Sequence, residues 1–258
     1  MTGGVLVSCL QAVLLLGSML MVLLLYRTGL FRRYPIFFAL FIFRIPNGIW
    51  PLFLEVSSPL YQRMWVLTEP IGLAFYILMV VELYKLVLEK YRGLYTLGRW
   101  ALYVSLAISV SISAISLLPQ IKPSWPQPSK IMWYMLATER GVHTGLAIFI
   151  VLILCFLSLF PVKLSRNVRV HALVFSIFFL SSTFMLLMRS LFGLHLADTV
   201  NTVLMGITAA SVVAWLTLLR AAGEDTQSAP AVYGQEEESR LLMHLDSLNA
   251  ALLRASGR

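Results

Sequence analysis

Six ionisable residues, Arg44, Glu69, Glu139, Arg140, His143 and Arg189, stand inside long apolar stretches of the sequence. A charge placed in hydrocarbon is costly, so each of these groups is a functional candidate. Glu139 and His143 are four residues apart, which puts them on one face of a helix and lets the carboxylate orient the imidazole. Taken together the six supply three guanidinium groups, two carboxylates and an imidazole, a set suited to a small anionic or zwitterionic ligand. Asn47, Asp198 and Asn201 add polar groups nearby, and Glu82 lies three residues from Lys85, close enough on a helix to pair with it.

The elements that carry these residues are set by composition. The chain has 258 residues, 59% hydrophobic and 12% charged, against about 25% charged in soluble domains, which argues against a soluble enzyme. A spanning helix needs about 20 mainly apolar residues, and seven stretches satisfy this: 4–26, 35–54, 60–87, 97–118, 131–160, 170–191 and 196–219. The sequence therefore predicts an all-α integral membrane protein, a seven-transmembrane helix bundle over residues 1–222. The second stretch holds Arg44, Pro46, Asn47 and Pro51, and its prolines remove backbone donors and favour a kink. Gly206 and Ala210 form a small-xxx-small pair on the seventh stretch, and Ser105, Ser109, Ser113 and Ser116 share a face of the fourth. Both patterns suit close helix packing.

The net charge of +8 is read through loop placement. Eleven Lys and Arg fall at one set of loops and helix ends, including Arg27, Arg32, Arg33, Lys163, Arg166, Arg169 and Arg220, and three at the other, Arg63, Lys122 and Lys130. The positive-inside rule then puts the N-terminus outside and the C-terminus in the cytoplasm, with multi-pass insertion in the cell (cytoplasmic) membrane. Trp50, Trp65, Trp125 and Trp133 fall at the outer interface. Glu69 lies about 6 Å below Trp65, Glu139 about 9 Å below Trp133 and Arg44 about 9 Å below Trp50. Two readings follow from this shared depth: an outward-opening polar pocket lined by the six residues, or internal ion pairs that hold the bundle together.

Several chemistries are not supported. Residues 196–219 lack the lysine that a retinal Schiff base requires, and the four histidines are too scattered for paired haem ligation or a zinc site. No Gly-x-Ser-x-Gly turn and no phosphate-binding glycine loop occurs. We therefore assign no catalytic residue, no metal and no cofactor, and read the positive charge as topology rather than nucleic-acid binding. Leu6-Val7-Ser8-Cys9 resembles a lipoprotein cleavage site, but no basic residue precedes it and the apolar run follows it, so the first stretch is expected to be a retained helix. Cys9 and Cys155 are expected at opposite leaflets and do not pair.

Beyond the bundle the composition changes to six acids against three bases. Residues 223–235 have the composition of a flexible linker, and 236–258 that of a short amphipathic cytoplasmic helix with Leu241, Leu245, Leu248 and Leu252 in a two-heptad seam. The expected function is a ligand sensor or receptor-like bundle, its tail contacting a cytoplasmic protein partner or a second copy. A small proton-coupled transporter using Glu69, Glu139 and His143, and a non-catalytic subunit of a membrane complex, are the alternatives.

Overall fold

The computed structural model describes residues 2–54, 58–88, 100, 102–105, 107–109, 111, 130–159, 164–192, 197–224, 227–228 and 235–255. These residues are almost all helical. Six helices are long and apolar enough to cross a membrane: α1 (Thr2–Arg27), α2 (Pro35–Ile49, extended by a 3-10 turn, Trp50–Leu52), α3 (Pro59–Val87), α4 (Lys130–Leu159), α5 (Arg166–Phe192) and α6 (Ala197–Leu218). By length and apolarity the chain is a multi-pass helical membrane protein. The expected fourth span, 97–118, lies largely outside the described residues, as does Trp125.

Local chemistry explains where these helices begin and end. α1 carries no charge before Arg27 and closes at Gly29, whose φ of 72° is the left-handed conformation that glycine adopts without a Cβ clash. α2 begins with Pro35 at its first position, and its capping residue Tyr34 offers no side-chain acceptor. The missing acceptor comes from another helix. Glu82 on α3 takes the N–H of Ile36 at 3.0 Å and of Phe37 at 3.2 Å, one on each carboxylate oxygen. Its expected pairing with Lys85 is thus replaced by a cap in trans, which supplies the free donors of a helix start more directly than a surface cation could use the acid. α2 continues through Pro46, and the indole N–H of Trp50 donates to Asn47 Oδ1 at 2.8 Å near its end. Ser58 Oγ caps α3 by accepting from Tyr61 N at 3.2 Å.

The helices form a closed ring. α1 packs on α2, α2 on α3, α3 on α4, α4 on α5, α5 on α6, and α6 returns to α1, while α3 also touches α5. α3 and α4 run parallel, because Tyr76 meets His143 at 5.4 Å between ring centroids and, two turns on, Tyr84 meets Phe149 at 5.3 Å. The middle of the ring is filled by rings and aliphatic chains, among them Phe37, Phe41, Phe175, Phe179 and Trp215. The close approach of α1 and α6 falls at Gly17, where an added Cβ would meet Val212 Cγ1 at 2.7 Å. Among the described residues no atom lies within 4 Å of such a Cβ at Gly206, and Ala210 is exposed.

Gln227–Ser228 pairs antiparallel with Leu164–Ser165, and Gly223 is buried against Asn167. Residues at the start of the expected linker are therefore tied to the connection before α5. The tail helix, α7 (Gln235–Ala255), forms as expected, with Leu245 fully buried in the common apolar cluster and Leu252 packed on it, while Leu248 is exposed.

Candidate functional site

A cavity of about 350 Å³ opens between α1, α2, α3 and α6. α2 contributes Arg44 and Asn47, and α3 contributes Thr68, Glu69 and Tyr76, which its helical period brings to one side. Ser18 of α1 and Thr208 of α6 complete the polar lining, and Leu14, Leu40 and Phe43 supply apolar wall. Arg44 Nη2 donates to Tyr76 Oη at 2.7 Å, and its guanidinium lies 5.8 Å from the Phe41 ring centre and 5.9 Å from that of Tyr76. Among the described residues it has no other hydrogen-bond acceptor, which leaves most of its five donors for a ligand. Glu69 is half-buried and makes no hydrogen bond or ion pair with another described residue. One cation and one carboxylate thus share a cavity without neutralising each other at contact distance.

The other four expected residues lie beside this cavity rather than on its wall. Glu139 Oε2 and Arg189 Nη2 form an ion pair at 3.1 Å between α4 and α5, both largely shielded from solvent. Arg189 Nη1 also reaches Asn201 Oδ1 of α6 at 3.5 Å. Glu139 therefore serves Arg189 and not His143, because the neighbouring helix offers a full charge where its own offers an imidazole. His143 is buried against Tyr76, Phe178 and Phe179, at 5.4, 5.9 and 5.5 Å, with no partner for Nδ1 among the described residues. Arg140 is half-buried on α4 in the same region. Of the six residues, Arg44 and Glu69 line the cavity, and Glu139 with Arg189 forms an internal pair.

The opposite end of the bundle holds a second polar cluster that sequence reasoning did not assemble. Tyr34 Oη donates to Glu224 Oε1 at 2.6 Å, and Asn167 Nδ2 donates to the same oxygen at 2.8 Å and to the Arg220 carbonyl at 2.8 Å. Arg33 Nε stands 4.0 Å from Glu224 Oε2. Burial, reinforced by the Glu224 carboxylate, holds the Tyr34 hydroxyl protonated well above the usual phenol range, so it remains a donor. Between the two ends runs a stack along α2: Arg44 on Phe41, Phe41 on Phe37 at 4.9 Å, Phe37 on His171 at 4.6 Å and His171 on Tyr34 at 4.6 Å.

Tyr76 could have been found from its seven-residue spacing to Glu69. Nothing local marks Asn167 or Glu224, because their partners are 57 residues apart in the chain. Among the described residues no three metal-ligating side chains cluster. Compared with known proteins, the chain matches no family model, no curated protein and no solved structure.

Proposed function

We propose that this is a seven-span receptor-like sensor in the cell membrane, with its N-terminus outside and the Arg44–Glu69 cavity open to the outer side. The observation that carries the reading is that cavity: a guanidinium and a carboxylate, not in contact with each other, facing a common space of about 350 Å³. A small zwitterion satisfies both charges at once, its ammonium on Glu69 and its anionic group on Arg44. The volume is at the small end of ligand sites, so an amino-acid-sized molecule fits better than a lipid. Glu139, Arg140, His143 and Arg189 surround the site and set its field.

Two further observations support this reading. The parallel run of α3 and α4 is what a further crossing between them would give, and the apolar run 97–118 is long enough to make one. The stack from Arg44 to Tyr34 ends on Glu224, in the turn that leads to the tail, and gives a ligand on Arg44 a contiguous packed route to that turn. The tail helix is the surface for a cytoplasmic partner or for a second copy, through its exposed Leu248 and Met243. Transport is less well supported, since the described residues between the two polar ends are dominated by the rings of Phe37, Phe41, Phe175, Phe178 and Phe179.

A thermal-shift series in mild detergent tests the ligand reading with three probe groups: zwitterionic amino acids, monoamines and monocarboxylates. A zwitterion at 100 times its Kd should stabilise by about 2.7 kcal/mol. Arg44→Ala and Glu69→Gln should each remove that stabilisation while leaving the folded yield near wild type. Loss of fold in both variants would instead assign the two residues to bundle assembly.

A further inference from the structure

His171 is the most isolated polar side chain among the described residues. It is 2% exposed, and neither ring nitrogen has a protein hydrogen-bond partner. An imidazole carries one donor and one acceptor when neutral, and burying both without partners is costly. The ring borders a small cavity of about 10 Å³ between α2, α3 and α5. Glu82 lines the same cavity. Each of its carboxylate oxygens already accepts one backbone N–H from the start of α2, which leaves lone pairs on both for a further donor.

We propose that this cavity is a structural water site, in which one water bridges the His171 imidazole and the Glu82 carboxylate. The space is at the lower limit, about 10–15 Å³, for holding a single water. The chemistry matches that size: the water donates to Glu82 and exchanges its second hydrogen bond with one nitrogen of His171. Tyr34, Phe37, Phe175 and Trp215 wrap the rest of the ring. The bridge ties the capped start of α2 to α5 through α3. Movement of α2 relative to α5 must break it, and His171 is also a member of the stack that descends from Arg44.

Solid-state NMR on the full chain in liposomes, with histidine imidazoles labelled with nitrogen-15, reads this directly. The expected result is a magnetisation contact from a slowly exchanging water to a nitrogen signal that disappears in His171→Phe. The same substitution should lower the Tm by about 3 °C, because the bridge is lost and the water loses a partner. Absence of the water contact overturns the proposal. A rise in Tm in His171→Phe would accompany that result, since a dry site gains when two unsatisfied nitrogens are replaced by an apolar ring.

Discussion

Glu82 illustrates how little of a buried charge's role is decided by its own helix. The sequence places Lys85 three residues away and suggests an intrahelical pair; the carboxylate instead receives two backbone N–H groups of α2. A helix start has orphan donors that must be met, and away from bulk water a protein acceptor must meet them. Glu82→Leu should therefore destabilise the protein by about 1–3 kcal/mol, whereas Lys85→Met should change stability by less than about 0.5 kcal/mol. Equilibrium unfolding in mixed detergent micelles separates the two, and equal losses would restore the Lys85 pairing. Glu139 follows the same logic, since its counter-charge is Arg189 on the next helix.

Helix pairs are held by shape more than by hydrophobicity, because lipid tails are as apolar as the side chains they contact. The α1–α6 contact depends on Gly17, whose missing Cβ leaves room for Val212. Gly17→Leu should overpack this seam and cost about 1–3 kcal/mol. Gly206→Ala, into open space within a helix, should be neutral or stabilising by up to about 1 kcal/mol. Melting temperatures of the two variants check this, and a comparable loss at both positions would return the small-residue seam to Gly206. The sequence pattern could not choose between the glycines, since both sit in apolar helices and only the facing residue distinguishes them.

For the molecule as a whole, the parallel run of α3 and α4 is the strongest constraint on topology. It places the start of both helices, near Gln62 and Lys130, at one end of the bundle and Lys85 and Ser165 at the other. In a background of Cys9→Ser and Cys155→Ser, a membrane-impermeant maleimide added to intact spheroplasts should label Gln62→Cys and Lys130→Cys. Lys85→Cys and Ser165→Cys should label only after permeabilisation. Labelling of Gln62→Cys and Lys130→Cys from opposite sides would exclude a crossing between α3 and α4, and reversed accessibility of all four would invert the orientation.

What the amino-acid sequence settled alone were the properties that are additive along the chain. An apolar run of about 20 residues suits a spanning helix wherever it lies, so six expected spans coincide with α1 to α6 to within a few residues at most ends, and the tail helix appears where its leucine spacing predicts it. That Glu139 and Arg189 lie at a common height along their helices was also legible, since 1.5 Å per residue converts position into height. Rotation and neighbour identity were not. Which charges face a cavity, which are taken up by an ion pair, and that Glu82, Asn167 and Glu224 each join separate segments depend on how helices turn and pack against one another. Those choices involve hydrogen bonds between residues as far as 190 positions apart, and only the tertiary structure decided them.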